Sequence, residues 1–247
     1  MTMKCFLFLA AAAGFLPVLI VRATPAVPYS ALLTHLPKVQ EEIVSLHNII
    51  RKVTVPEAGN MLKMSWSEEA AQNARLLSRN CDLAKTNAVK RRITHTFCGE
   101  NKYLAPDTIP WVDVIEIWYN ESKHFRYGSW SPLREEKSDN YIQMIWASSY
   151  LIGCGVSPCC KKMTFQYLYV CHYCHEGNEP ERKTIPYNVG TPCEACPNNC
   201  DDGLCTNPCI YYDEYTNCEM LKHVPGCGHQ SVKLLCKASC LCNTEIH

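Results

Sequence analysis

The distribution of cysteines constrains this chain more than any other feature of its sequence. Of the 18 cysteines in 247 residues, ten lie between Cys193 and Cys242. A reducing cytosol would leave such a dense set of thiols unpaired, so the pattern indicates an oxidising environment outside the cytoplasm. Too few apolar residues separate these cysteines to build a large core. We therefore predict a small disulfide scaffold attached to a larger domain.

The first 23 residues are typical of a removable export signal. Lys4 precedes an apolar run from Phe6 to Val21, and Val21 and Ala23 suit cleavage after Ala23. The run is 16 residues long and contains Pro17, which is short for a bilayer span of about 20 residues. We expect a secreted, extracellular protein that is not a transmembrane protein.

The mature chain is nearly neutral and has an odd number of cysteines. Without the signal it retains 17 cysteines, 22 basic residues and 24 acidic residues. This charge balance gives no reason to expect nucleic acid as a partner. The odd cysteine count predicts one thiol that is free or linked to a second chain.

Hydrophobic periodicity predicts an α+β domain over residues 37–177, with helices first and strands later. Residues 24–36 contain two prolines and no clear period, and we expect a loose arm there. The first predicted helix begins at Pro37, and the second runs from a capping box at Ser65–Glu68 to about Asn80. The third spans Trp111–His124, and the fourth lies around Asn140–Trp146. The second helix is expected to turn Ala70, Ala71, Ala74 and Leu77 inward. The third helix is expected to turn Val114, Ile115, Trp118 and Tyr119 inward. Aliphatic and aromatic runs at 150–156 and 165–172 predict strands.

A change in composition near Gly177 predicts the end of this domain. Asn178–Pro192 contains three prolines and few core residues, which is typical of a linker. A first cysteine-rich piece then ends by residue 208, and a second spans Cys209–Cys242. At 34 residues, the second piece is below the size of about 40 residues at which disulfides or metals become necessary.

Two cysteine patterns, and one pair of residues on a predicted helix, could alternatively be cofactor or metal sites. Cys171-His-Tyr-Cys174-His175 matches the C-x-x-C-H pattern of haem attachment, and Cys193-x-x-Cys196 has the spacing of zinc ligands. In a secreted chain rich in thiols, disulfides are favoured for both. Glu121 and His124 are three residues apart and could share a metal, although such a pair is more typical of a solvated helix face.

One sequon, Asn120-Glu-Ser122, makes Asn120 a candidate glycosylation site. Its predicted position within a helix argues against a glycan there, since acceptors favour exposed loops. The sequence contains no nucleophile elbow, HExxH motif, P-loop or dinucleotide fingerprint.

Three stretches resemble the successive signatures of the CAP superfamily, and they are Cys98–Asn101, Tyr141–Trp146 and Tyr169–Asn178. The segment from Cys193 to Cys242 resembles the hinge and the ShK-like ion-channel-regulator module of cysteine-rich secretory proteins. The resemblance implies an α-β-α sandwich, also named an SCP domain, followed by a small disulfide-rich hinge and the ShK-like module. Asn60–Ala74 and Cys205–Tyr215 are most similar to the epididymal, sperm-associated type within that family.

The resemblance also implies a pairing for sixteen of the cysteines. The implied pairs are Cys81–Cys159, Cys98–Cys174, Cys154–Cys171, Cys193–Cys200, Cys196–Cys205, Cys209–Cys242, Cys218–Cys236 and Cys227–Cys240. Cys160 is left over, and the resemblance therefore makes it the free or intermolecular thiol, with a homodimer linked through Cys160 as one outcome.

The chain departs from the family pattern at the cleft. Related domains often line it with two histidines and two glutamates, a set that suits zinc. Glu100 and Glu121 match the glutamates, whereas Lys85 and Asn140 occupy the histidine positions. We therefore expect no metal, no cofactor and no catalytic residue. The tail departs as well, because no tyrosine follows Cys227 at the place of the Lys-Tyr pair of channel-blocking relatives.

The function that the resemblance implies is that of a secreted, non-enzymatic binding protein of the male reproductive tract. It would coat sperm and act in sperm maturation, in sperm–egg interaction and in ion-channel modulation. The implied partners are the sperm surface, the egg surface or zona components, and ion channels. Two alternatives stay open: a protease or zinc-binding protein that uses Glu100 or Glu121 in the cleft, and a toxin-like channel effector that acts through the tail.

Overall fold

The computed structural model describes residues 27–94, 96–129, 137–161, 164–175, 177 and 182–247. The predicted signal peptide and residues 24–26 of the predicted arm lie outside these ranges. Within them, every helix is too short or too polar to cross a bilayer.

The chain forms helices and strands in a mixed order, followed by short helices in the cysteine-rich tail. The α-helices are α1 Pro37–Lys52, α2 Glu68–Ser78, α3 Trp111–Tyr119, α4 Asp139–Met144, α5 Cys218–Leu221, α6 Gln230–Leu235 and α7 Lys237–Leu241. The 3-10 helices are Tyr29–Leu32, Ala88–Arg91 and Asn120–His124, and an irregular helical turn spans Lys222–Gly226. The strands are β1 Ser65–Trp66, β2 Cys98–Ala105, β3 Leu151–Lys161, β4 Thr164–Cys174, β5 Cys200–Asp201 and β6 Leu204–Cys205.

The four-stranded sheet has the order β1-β3-β4-β2 and lies between two helical layers. Strand β1 is parallel to β3, whereas the β3–β4 and β4–β2 pairs are antiparallel. On β3, alternate residues Ile152, Cys154 and Val156 face the core shared with α1 and α3, as the period of two along a strand requires. The α-β-α sandwich expected from the resemblance is therefore present.

Helix α2 covers the opposite face of the sheet at very short range. A Cβ atom at Gly153 would lie 2.1 Å from the backbone nitrogen of Ala71, and one at Gly155 would lie 2.5 Å from the backbone of Arg75. Only glycine allows this approach. The inner stripe predicted for α2 is confirmed, since Ala70, Ala71, Ala74 and Leu77 are all buried.

The predicted capping box at the start of α2 is wrong in its register. Ser65 and Trp66 form β1, which pairs with the start of β3. The helix is capped by Ser67, whose side chain accepts a hydrogen bond from the backbone N–H of Ala70 at 3.2 Å. The carboxylate of Glu68 instead accepts a hydrogen bond from the indole of Trp66 and pairs with Arg75.

The third predicted helix is too long, and one of its predicted inward residues is exposed. The α-helix ends at Tyr119, and Asn120–His124 forms a 3-10 helix. Val114, Ile115 and Trp118 are buried, but Tyr119 is 36% exposed, because it is rotated by about 100° from Trp118 around the helix.

The expectation of a loose arm is wrong for residues 27–36. Tyr29–Leu32 forms a 3-10 helix, and Leu32 is only 2% exposed. The buried indole of Trp111 donates a hydrogen bond to the carbonyl of Leu32 at 2.9 Å, and the hydroxyl of Tyr29 donates one to the carbonyl of Val156 at 3.0 Å. The burial of Leu32 and these two hydrogen bonds hold the arm against the domain.

The expectation of a linker is also wrong for residues 182–192, the part of it that the structure describes, because this segment packs on the N-terminal domain. Tyr187 is 1% exposed and shares a core cluster with Ala58, Met61 and Tyr141. Its hydroxyl donates a hydrogen bond to the carbonyl of Pro56 at 2.9 Å.

The hinge continues this packing by pairing with the N-terminal domain through its backbone. The backbone of Cys205 accepts a hydrogen bond from Lys63 and donates one to Met61, both at 2.8 Å. The linker and the hinge are therefore joined to the N-terminal domain rather than suspended from it.

Candidate functional site

Disulfides hold together both parts of the molecule. The eight pairs in the structure are the same as those implied by the resemblance: Cys81–Cys159, Cys98–Cys174, Cys154–Cys171, Cys193–Cys200, Cys196–Cys205, Cys209–Cys242, Cys218–Cys236 and Cys227–Cys240. Cys160 is free and exposed. The cysteines of the haem-like pattern, Cys171 and Cys174, are both bridged, so neither thiol remains for haem attachment.

The zinc-like cysteine spacing is likewise explained by disulfides. Among the described residues, one group of three histidine, cysteine or acidic side chains has its potential ligand atoms close together, and it consists of Cys193, Cys196 and Cys205. All three sulfurs belong to disulfides, and metal binding needs thiolates.

Glu100 lies on β2 in a buried network of charges and hydrogen bonds. One carboxylate oxygen accepts a hydrogen bond from the backbone N–H of Thr86 at 2.9 Å and lies 3.3 Å from the ammonium of Lys102. The other lies 3.6 Å from Nε2 of His172, the cross-strand neighbour on β4. Burial alone would raise the pKa of Glu100, but His172, Thr86 and Lys102 together lower the pKa to about 2.

The ammonium of Lys102 places a positive charge beside the carboxylate of Glu100. Its ammonium donates hydrogen bonds to the carbonyl of Ala84 at 2.6 Å and to the hydroxyl of Thr86 at 2.8 Å. The sequence analysis missed Lys102 and His172. The available signal was the spacing of Lys102, two residues after Glu100 on one strand, which places both side chains on the same face.

Glu121 forms a separate contact at the start of α4. Its carboxylate accepts hydrogen bonds from the backbone N–H and the side-chain amide of Asn140, at 2.9 and 2.7 Å, and from the backbone N–H of Tyr141 at 3.2 Å. Burial raises the pKa of Glu121, an effect that these hydrogen bonds oppose and the nearby Asp139 reinforces. Asn140 therefore acts as a hydrogen-bond donor to Glu121. The carboxylates of Glu100 and Glu121 have different bonding partners.

The structure does not assemble the predicted cleft residues into a metal site. Lys85 is exposed in the loop before β2. Across the described ranges, no group of three closely spaced potential ligands includes Glu100, Glu121 or His124. Asn120 is exposed in the 3-10 helix that follows α3, and its glycosylation stays a prediction.

Zinc should bind weakly at this cleft. The ammonium of Lys102 already neutralises the carboxylate of Glu100, and Asn140 donates hydrogen bonds to the carboxylate of Glu121. Calorimetry on the tag-free protein should show no tight one-to-one binding, and Glu100→Gln should leave the zinc isotherm unchanged. His124→Ala serves as the control for a ligand on the neighbouring 3-10 helix. Tight binding that disappears in Glu100→Gln would contradict this prediction.

The depressed pKa of Glu100 predicts a specific loss of stability in acid. A carboxyl with a pKa of about 2 in the folded state and 4.5 when unfolded contributes stability above pH 4.5, and this contribution is lost as the pH falls towards 2. The expected contribution is about 2 to 3 kcal/mol. Urea unfolding as a function of pH should show this loss in the wild type and not in Glu100→Gln. The exposed Glu116→Gln is the control, and parallel profiles for wild type and Glu100→Gln would refute the assignment.

Comparison with known proteins identifies two family regions. Residues 44–173 match the family described as "Cysteine-rich secretory protein family", and residues 193–247 match the family described as "Crisp". The fold is similar to Na-ASP-1, with a TM-score of 0.57 and 24% identity over 68% of this chain and 46% of that chain. The chain thus spans about half the length of Na-ASP-1. It is also similar to NaASP2, solved with Zn²⁺, with a TM-score of 0.56 and 21% identity over 69% of this chain and 96% of that chain.

Curated relatives match the chain over most of its length. Cysteine-rich secretory protein 1 of Macaca mulatta is 55% identical, with 100% of both chains covered. Cysteine-rich secretory protein 2 of Homo sapiens is 44% identical over 89% of this chain and 90% of the relative. The cysteine-rich venom protein helothermine of Heloderma horridum horridum is 42% identical, with 91% of each chain covered. The chain therefore belongs to the cysteine-rich secretory protein family of secreted, non-enzymatic CAP proteins.

Proposed function

We propose that this protein is a binding protein of the male reproductive tract that coats sperm during epididymal maturation and acts in sperm–egg interaction and ion-channel modulation. Its membership of a secreted, non-enzymatic family supports a role in recognition. The cleft agrees with this role, because Glu100 and Glu121 are engaged by neighbouring side chains and backbone groups. The partners that we propose are components of the sperm and egg surfaces and ion channels.

The observation that carries the proposal is a set of exposed apolar side chains on the disulfide-stapled tail. Met220 on α5, Val224 in the irregular turn and Leu234 on α6 are 60%, 72% and 57% exposed. We call these three residues the tail apolar surface. Their three segments contact one another, and disulfides hold the surrounding backbone. Large exposed apolar side chains are typical of interaction sites, and a stapled scaffold lowers the entropy cost of binding.

Binding of the labelled full-length protein to epididymal sperm tests this proposal. The triple variant Met220→Ser/Val224→Ser/Leu234→Ser should lose most of the binding, because each side chain would no longer bury apolar area against a partner. The matched control Ile49→Ser/Leu76→Ser/Val112→Ser removes exposed apolar side chains from the CAP domain and should bind normally. Equal binding by wild type and the tail variant would contradict the proposal.

An effector that acts on channels through the tail is a second candidate function. Lys233 is exposed on α6 beside Leu234, which places a cation next to an apolar contact even though no tyrosine follows Cys227. Current recordings with the full-length protein should then show block that Lys233→Gln weakens. An adhesive role is favoured if two results are obtained together: the wild type leaves channel currents unchanged, and the tail triple variant loses sperm binding.

We also propose that Cys160 links two copies of the chain. Cys160 is exposed on β3, whereas its neighbour Cys159 is buried and bonded to Cys81. An exposed thiol in an oxidising environment tends to couple. Non-reducing electrophoresis should reveal a fraction of covalent dimer that is absent in Cys160→Ser. Covalent dimers in that variant, or a peptide that joins Cys160 to Cys81, would exclude the linking role.

A further inference from the structure

A second exposed surface lies on the CAP domain, in the loop of residues 81–92 between α2 and β2. We call this segment the basic loop. The chain as a whole has no net charge, yet residues 83–99 contain no carboxylate. The basic side chains of this stretch other than histidine are Lys85, Lys90, Arg91 and Arg92. Lys85, Lys90 and Arg92 are exposed, whereas Arg91 is buried, so three exposed cations lie in one short part of the surface.

The basic loop also exposes two large aliphatic side chains. Leu83 is 53% exposed and Val89 is 72% exposed. Each is within two residues of an exposed lysine, since Leu83 precedes Lys85 and Val89 precedes Lys90. Lysines together with exposed aliphatic side chains are typical of segments that lie at a membrane interface, where charge meets headgroups and the apolar groups enter the acyl boundary.

Hydrogen bonds hold the basic loop in one conformation. The carbonyl of Ala84 accepts a hydrogen bond from the ammonium of Lys102, and the backbone N–H of Ala84 donates one to the carboxylate of Asp82 at 2.9 Å. The N–H of Thr86 donates to Glu100 at 2.9 Å, and the carbonyl of Thr86 accepts a hydrogen bond from Arg91 at 3.1 Å. A loop ordered in advance loses little entropy when it binds.

A polar cavity of about 230 Å³ lies in the basic loop. Lys85, Lys90 and Lys102 line it, together with Asn87 and the single carboxylate Asp82. The charge of Lys102 is offset by Glu100. In contrast, no carboxylate within the described ranges lies within 4.0 Å of the Lys85 or Lys90 ammonium. Two cations therefore remain at the cavity for an anionic group.

We propose that the basic loop docks on a membrane surface that carries anionic lipid headgroups. Lys85 and Lys90 bind the headgroups, and Leu83 and Val89 enter the interface beside them. A soluble polyanion such as a sulfated polysaccharide would use the lysines but leave both aliphatic side chains in water. The combination of charge and exposed apolar area therefore favours a lipid surface. This inference goes beyond the proposed function and does not depend on the tail apolar surface.

Co-sedimentation of the full-length protein with vesicles tests the inference. The wild type should bind vesicles of phosphatidylcholine mixed with phosphatidylserine and should not bind vesicles of phosphatidylcholine alone. Lys85→Gln/Lys90→Gln should weaken binding about thirtyfold, because each basic residue contributes electrostatic attraction near an anionic surface. Leu83→Ser/Val89→Ser should weaken it about tenfold through lost apolar burial.

Two further variants keep the test specific. Lys38→Gln/Lys123→Gln removes the same charge from exposed positions elsewhere and should bind nearly as well as the wild type. Asp82→Asn removes the one negative charge at the cavity, retains the acceptor for Ala84 and should tighten binding. Unchanged unfolding temperatures establish that the variants fold.

Two results would overturn the proposal. One is equal binding of the wild type to both kinds of vesicle. The other is unchanged vesicle binding by Leu83→Ser/Val89→Ser together with displacement by soluble heparin, which would assign the loop to a free polyanion instead. The tail triple variant should retain vesicle binding, so failure of this inference is distinguishable from failure of the proposed function.

Discussion

Replacing Arg51 with methionine should destabilise the protein by about 4 kcal/mol. The side chain is 1% exposed, and burial lowers its pKa to about 9, so the guanidinium is charged at neutral pH. Its partners are four backbone carbonyls at 2.8 to 2.9 Å, those of Leu62, Met144, Trp146 and Ala147. Methionine fills much of the volume but removes one donor from each of the four carbonyls. The carbonyls of Trp146 and Ala147 keep a backbone donor, from Ser149 and Leu62 respectively, whereas those of Leu62 and Met144 lose the donor that Arg51 supplies.

Urea unfolding with the disulfides intact measures this loss. Arg51→Lys should also destabilise the protein, because an ammonium has three donors and lacks the planar fork that reaches four carbonyls. Arg79→Met, at an exposed position after α2, should change stability by less than about 0.5 kcal/mol. Equal stability of Arg51→Met and Arg79→Met would show that the carbonyls find other donors.

Replacing Tyr187 with alanine should cost about 3 to 5 kcal/mol, as for other large buried side chains. Tyr187 comes from the segment expected to be a linker, yet it is 1% exposed against Ala58, Met61 and Tyr141. The substitution leaves a cavity in the CAP domain and removes the hydrogen bond to Pro56. Tyr215→Ala is the matched control, because Tyr215 is 55% exposed in the tail.

The same contacts predict that a chain ending after Gly177 is much less stable than the full protein. The sequence alone predicted that the domain ends near Gly177 and that a linker follows it. The shortened chain loses Tyr187 and the backbone pairing of Cys205 with Met61 and Lys63. Chemical unfolding of the shortened and full-length proteins compares the two. If the shortened chain matched the full one, while Tyr187→Ala remained as stable as Tyr215→Ala, the docked linker would have no energetic role.

Several features were predictable from the sequence because their causes are local. The inner stripe of α2 follows from apolar spacing over a few turns, and it is present as predicted. The main strands β3 and β4 follow from aliphatic and aromatic runs. The density of cysteines indicates disulfides, although the spacing alone left the pairing open. The family resemblance supplied the pairs that the structure contains.

Tertiary structure decided the features whose partners are distant in sequence. Ser67 rather than Ser65 caps α2 because Ser65 and Trp66 pair with β3, about 85 residues later. Leu32 is buried because it packs in the core with Trp111, whose indole donates a hydrogen bond to the carbonyl of Leu32.

The charges of the site follow the same division. The family resemblance implied that Lys85 and Asn140 stand at histidine positions, but only the fold places Lys102 beside Glu100 and Asn140 against Glu121. Residue types and periodicity specify which groups a segment can bury. Which donor meets which acceptor depends on chain segments that folding alone brings together, since a buried polar group is stable only with a partner.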